Sequence, residues 1–247
     1  MTDELEPKRK RRPSPCQFVD YRGLSLRTLF SPAYQHLLLL IFWPLFGIVF
    51  ASLERLRTIG YVTVYSPLDD MIPFCEIFAI PYFFWFAYLV GMYVYSIFFD
   101  VETFKNYTYF IMITYITTLV IYIFFPTMQE LRPMIFPREN FLTEVMRRFY
   151  QFDTNTNVCP SIHVIGSIAV SCAAWNSKAF SKTGWRIGFS AVTVLIILST
   201  VFLKQHSILD IPPAVALCML AYPLVYGKTF RGWLSKKRSE RKEKNRQ

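Results

Sequence analysis

The chain has 247 residues, of which 53% are hydrophobic and 18% aromatic, and its formal net charge is +10. So much apolar side chain disfavours a water-soluble domain. The positive charge gathers toward the two ends of the chain, which disfavours a nucleic-acid surface, so no nucleic-acid partner is expected.

In chain order, residues 1–30 come first. They set Lys8 to Arg12 among Pro7, Pro13 and Pro15, and predict a basic tail that leads into an amphipathic approach to a membrane. Those residues are polar and basic where a signal peptide would have its apolar core, so no cleavable signal is expected. Six apolar segments follow: Gln35 to Leu53, Ile72 to Phe99, Tyr107 to Phe125, Pro160 to Trp175, Trp185 to Leu203 and Ile208 to Tyr226. Each is nearly free of charge, and about 20 residues suffice to cross the hydrocarbon of a bilayer. The prediction is an all-α polytopic membrane protein: a bundle of six transmembrane helices over residues 31–229, with a second basic tail at 230–247. Most of the 27 Lys and Arg residues then fall on the side of both termini, which the positive-inside rule places in the cytoplasm.

The connecting segments carry the polar chemistry. His36, just ahead of the first segment, reads as an interfacial polar residue. Asp69 and Asp70 stand between Pro67 and Pro73, where adjacent carboxylates cap a helix more often than they bind a metal. Pro73 and Pro81 are expected to bend the second segment. Asp100, Glu102 and Lys105 are assigned to a short second loop. The third loop, Pro126 to Cys159, is the longest; it holds Arg132 before Pro133 and runs into Pro160-Ser161-Ile162-His163. A proline in a first helical turn followed by serine predicts a helix N-terminus whose free N–H groups favour an anion, with His163 in that turn. An ordinary capped start with an interfacial histidine accounts for the same residues equally well. The fifth connection carries Lys204, His206 and Asp210. On a helix, His206 and Asp210 share one face, so the carboxylate can orient the imidazole. By itself the same spacing also suits a pair that merely solvates a helix mouth.

Parity changes that balance. With the termini on one side, the third and fifth connections both lie on the other, which brings Arg132, Ser161, His163, Lys204, His206 and Asp210 to one surface. Two of the three histidines fall there beside fixed cations, and ionisable groups clustered at a membrane edge mark a functional site. The five cysteines show no paired spacing, so neither a disulfide framework nor a zinc site is expected.

At these residues the chain resembles the type 2 phosphatidic acid phosphatase superfamily of membrane lipid phosphatases and phosphotransferases. The elements that match are Arg132-Pro133, then Pro160-Ser161-Ile162-His163, then Ser199-Thr200 with His206 and Asp210 at the family spacing, all within roughly Tyr61 to Tyr226. The resemblance implies that His206 attacks phosphorus to form a phosphohistidine, that Asp210 orients it, and that His163 protonates the leaving oxygen. It also implies that Arg132 and Ser161 hold phosphate oxygens. Three positions depart from the family pattern: Phe125 stands for a lysine, Ile162 for a glycine and Thr200 for an arginine. Lys204, one helical turn beyond Thr200, is assigned the missing charge, which requires a bend or helix end between Lys204 and His206. The function implied is a lipid phosphate or diphosphate phosphatase, independent of metal and cofactor, acting at the extracytoplasmic surface on a lipid held in the bilayer. The alternatives are a lipid phosphotransferase of the inositol-phosphorylceramide or sphingomyelin synthase kind, and a non-catalytic relative.

Overall fold

A long apolar run in a lipid-like environment must satisfy its backbone polar groups internally, and helices do so within one segment. The computed structural model describes residues 18–57 and 59–227 and is helical almost throughout. The basic stretches 1–17 and 228–247, on which the orientation expected from the sequence largely depends, lie outside the described residues.

A 3₁₀ segment Gln35–Ile41 runs into α1 (Phe42–Leu56). After it come a two-residue strand β1 (Val62–Thr63) and a short α2 (Pro67–Met71), opened by Ser66 and Asp69 in a reciprocal capping box with Pro67 in the first turn. Helices α3 (Ala79–Phe99) and α4 (Val101–Phe124) meet at Asp100, whose carboxylate caps α4 through Thr103 N at 3.0 Å. The predicted second loop is therefore a single residue. Glu102 and Lys105 lie in the first turns of α4, because a cap at Asp100 starts the helix well before the apolar run does.

The third connection contains β2 (Thr127–Met128), paired in parallel with β1, and α5 (Phe141–Phe152). α5 stands where the sequence predicts a polar loop. Its signals are local all the same: Asn140 and Thr143 form a capping box, and Leu142, Val145, Met146 and Phe149 recur at helical spacing, with Met146 fully buried. The chain ends in α6 (Ile162–Asn176), α7 (Thr183–Phe202), a 3₁₀ turn Ile208–Asp210 and α8 (Ile211–Tyr226).

Among the described residues five helical stretches are long and apolar enough to cross a membrane: Gln35–Leu56, Glu76–Phe99, Val101–Phe124, Thr183–Phe202 and Ile208–Tyr226. They are consistent with a lipid bilayer environment and expose apolar side chains outward, among them Ile48, Val90, Val120, Val194 and Leu220. The remaining predicted segment differs. α6 has 15 residues, about 22 Å of helix against about 30 Å of hydrocarbon. It packs against α3, α4, α7 and α8, with Val164, Ile165, Ala169, Val170, Ala173 and Ala174 fully buried. Small residues let its neighbours approach closely. At Gly166 a Cβ would stand 2.8 Å from the Tyr115 hydroxyl and 3.0 Å from Trp85 Nε1, so only glycine fits between those two aromatic rings.

His36 is buried rather than interfacial. The Tyr21 hydroxyl stands 2.9 Å from its Nε2 and also donates to the Ile97 carbonyl, so His36 anchors the approaching segment to the end of α3. That end of the bundle is remote from the other two histidines, which sit where α3, α6 and α8 begin and α4 and α7 finish.

Candidate active site

The local fold around His206 begins with the end of α7. The Thr200 carbonyl accepts both Gln205 N (2.9 Å) and His206 N (3.1 Å), and Lys204 takes the left-handed backbone conformation with φ of 53°. This reverses the chain between the last turn of α7 and Ser207. Ser207 then caps the 3₁₀ turn, and Asp210 answers through Oδ2, which accepts Ser207 N at 3.1 Å and faces His206 Nδ1 at 2.9 Å. The expected pair exists, but across a capped turn and not along one helix face. The required helix end between Lys204 and His206 is also present.

That contact fixes the chemistry of the ring. A carboxylate can only accept, so His206 Nδ1 carries hydrogen, and in the neutral ring Nε2 then presents a lone pair. Nε2 points at His163 Nδ1, 3.4 Å away, with the ring centroids 5.6 Å apart. His163 is held by its own surroundings. Its ring lies on Tyr82 (centroids 4.8 Å) and against Trp85 (4.4 Å), both from the first turns of α3. Ser161 caps α6 by accepting Val164 N at 3.4 Å, and its own N–H reaches the Asp210 carbonyl at 3.3 Å. The proline therefore precedes the cap instead of opening the first turn. Tyr122 and Tyr115 on α4 donate to the Pro160 and Ile162 carbonyls, pinning the start of α6 from behind.

Arg132 reaches the same neighbourhood with most of its hydrogens committed. Its Nη1 donates to the Tyr150 and Asp153 carbonyls (3.2 and 2.8 Å). Its Nη2 meets Asp153 Oδ2 (3.1 Å), the Thr154 carbonyl (2.8 Å) and Gln205 Oε1 (2.6 Å). Burial pushes the Asp153 carboxyl above its ordinary value, and the positive charge of Arg132 opposes that rise. Gln205, absent from the sequence reading, is only 3% exposed. Because guanidinium only donates, the amide oxygen must face Arg132 and the amide nitrogen must turn away. Gln205 Nε2 and Arg132 Nε are buried donors without a protein partner among the described residues. An anion beside them would satisfy both.

Lys204 is not part of this group. Its Nζ donates to the Asp69 carbonyl at 2.5 Å and lines an open cavity of about 960 Å³ together with Tyr65, Asp70, Glu130 and Pro133. Burial lowers its ammonium from the ordinary lysine value, against the pull of Asp69 and Asp70. A second cavity, about 550 Å³, borders Arg132, Asp153 and Glu54. Neither lining includes His163 or His206.

The structure thus gathers His163, His206, Asp210 and Ser161, joins Arg132 to them through Gln205, and directs Lys204 elsewhere. Comparison with protein-family models, curated proteins and solved structures gives no match. The functional reading therefore depends on the geometry and the sequence pattern together.

Proposed function

We propose that this chain is a six-crossing lipid phosphatase of the type 2 phosphatidic acid phosphatase kind, working on the extracytoplasmic side through a phosphohistidine at His206. One observation carries the reading: His206, with Asp210 behind it at 2.9 Å, aims its lone pair at a second imidazole 3.4 Å away. Two histidines in that relation suit a nucleophile and a proton donor that meet at one reacting group.

In the proposed reaction the lone pair of His206 Nε2 forms a bond to phosphorus as the bond from phosphorus to the lipid oxygen breaks. Protonated His163 gives its hydrogen to that departing oxygen. The negative charge of a bound phosphate favours the protonated form of His163. Water then attacks phosphorus and loses a proton to His163, and the nitrogen–phosphorus electron pair returns to His206. Asp210 stabilises the charge on the phosphorylated ring. Gln205 Nε2, Arg132 Nε and the Ser161 hydroxyl are the donors available to phosphate oxygens. Reacting atoms need about 3 to 3.5 Å of approach and the two ring nitrogens stand 3.4 Å apart, so a phosphoryl group reaches His206 Nε2 only as the two imidazoles move apart.

The test uses the purified full chain in vesicles that contain lipid labelled in the phosphate, assayed with a chelator present. Release of inorganic phosphate supports hydrolysis. A new labelled lipid formed with an added alcohol or lipid acceptor supports phosphotransfer by the same phosphohistidine. Absence of both products points to a non-catalytic relative and overturns the proposal.

Lys204 receives its own test. Lysine and alanine carry the same Cβ cost in the left-handed conformation, so Lys204→Ala removes the ammonium without changing that cost, whereas glycine would also relax the backbone. If the ammonium swings from the Asp69 carbonyl onto a phosphate oxygen, Lys204→Ala lowers kcat by about 10²-fold to 10³-fold. A wild-type kcat shows that the ammonium neither holds phosphate nor is needed to hold the His206 turn.

A further inference from the structure

The nucleophile proposed above sits on a turn between two helix ends, and a turn holds an imidazole in line only if both of its flanks are fixed. On the upstream flank, Lys204 Nζ donates to the Asp69 carbonyl at 2.5 Å. On the downstream flank, the Ser207 hydroxyl donates to Asp69 Oδ2 at 2.6 Å and Ile208 N donates to Asp69 Oδ1 at 2.8 Å. Both sides of His206 are thus tied to one residue, which lies 138 positions from Ser207 in sequence.

Asp69 is 1% exposed. Its Oδ2 also accepts Ser66 N at 2.9 Å, so the buried carboxylate is satisfied by three neutral donors and holds no cation through its side chain. Burying a charge in that way is costly unless every bond is made, and two of those bonds serve the residues directly after His206. The support behind Asp69 is rigid. Val62 N and Val64 N bond the Pro126 and Met128 carbonyls through the β1–β2 pairing, and Cys75 N bonds the Phe202 carbonyl at the end of α7.

Resting on the reading of His206 as nucleophile, we infer that Asp69 is a positioning residue, a clamp from the α1–α3 connection that holds the His206 turn in its reactive alignment. It acts through Ser207 and Ile208 and touches neither substrate nor His206. Removing the clamp therefore changes the rate of the chemical step and leaves substrate binding intact.

The experiment compares Asp69→Ala, Asp69→Asn, Ser207→Ala and the Asp69→Ala/Ser207→Ala double variant of the full chain in vesicles. Asp69→Ala is expected to lower kcat by about 10²-fold with KM unchanged within about twofold, as misplacement of a reacting group does. Asp69→Asn keeps one accepting oxygen and falls between Asp69→Ala and wild type. The double variant is no slower than Asp69→Ala, since both changes cut the same link. A kcat unaffected by Asp69→Ala, or losses that add in the double variant, overturns the clamp. A second readout does not depend on turnover: modification of His206 by diethyl pyrocarbonate, followed on its peptide by mass spectrometry. Its rate is expected to change in Asp69→Ala and Ser207→Ala, while His36, buried at the far end of the bundle, reacts as in wild type. If wild type releases no phosphate yet His206 alone changes reactivity, the catalytic reading fails and the clamp stands. If His206 reactivity is unmoved in both variants, or His36 moves with it, the clamp fails whatever the activity.

Discussion

On the proposed function, turnover by His206→Ala is expected to fall by on the order of 10⁶-fold, the loss that follows removal of the covalent nucleophile from a serine protease. No neighbour can take its place. Among the described residues His163 has no carboxylate behind it as His206 has, and its ring is fixed by stacking on Tyr82. The measurement is phosphate release from vesicles, together with quenching on labelled substrate to trap an acid-labile, alkali-stable phosphoprotein. Wild type is expected to show that species and His206→Ala to lack it. Turnover that persists in the variant excludes the phosphohistidine route. Melting in detergent serves as the control, because the change leaves the buried Asp210 Oδ2 with only the Ser207 N–H.

The second large effect is at Asp210, where two substitutions should separate. Asp210→Ala removes the partner of His206 Nδ1 and the cap of Ser207 together, and kcat is expected to drop by about 10⁴-fold, comparable with loss of an orienting carboxylate elsewhere. Asp210→Asn should be milder, by about 10²-fold. The oxygen that meets His206 also accepts Ser207 N at 3.1 Å, and this backbone donor keeps an asparagine oxygen turned toward the ring. The tautomer that leaves Nε2 bare is then preserved and only the charge is lost. If Asp210→Asn is as inactive as Asp210→Ala, the amide has flipped and donates to Nδ1.

Features set by local pattern were legible in the sequence. The apolar runs announced the long helices, and the spacing of His206 to Asp210 announced a pair that does meet, although across a turn. Apolar content alone does not say whether a helix faces lipid or its neighbours, so the enclosed position of the short α6 was not legible. α5 was readable from Asn140 and the stripe from Leu142 to Phe149, and was overlooked because a polar loop was expected there. Asp69 and Gln205 belong to a different category. Their roles arise from pairings over 138 and 73 residues, with Ser207 and Arg132, and a local window contains no trace of either. Lys204 shows the same limit: spacing along a helix suggested a side chain reaching back toward Thr200, whereas the chain had already left the helix and sent the ammonium to Asp69.

The inner helix sets the depth of the chemistry. α6 is about 22 Å long and its neighbour α4 about 36 Å, from 15 and 24 residues. Beyond the foot of α6, the Ser177 hydroxyl is moored to the Asp100 carboxylate at the α3–α4 corner, so the missing length falls at the histidine end. The start of α6, with His163 in its first turn, therefore lies level with the Tyr115 to Tyr122 turns of α4, whose hydroxyls bond the Ile162 and Pro160 carbonyls. On the proposed lipid phosphatase reading, the ester linkage has to reach that level while the tails stay among lipid.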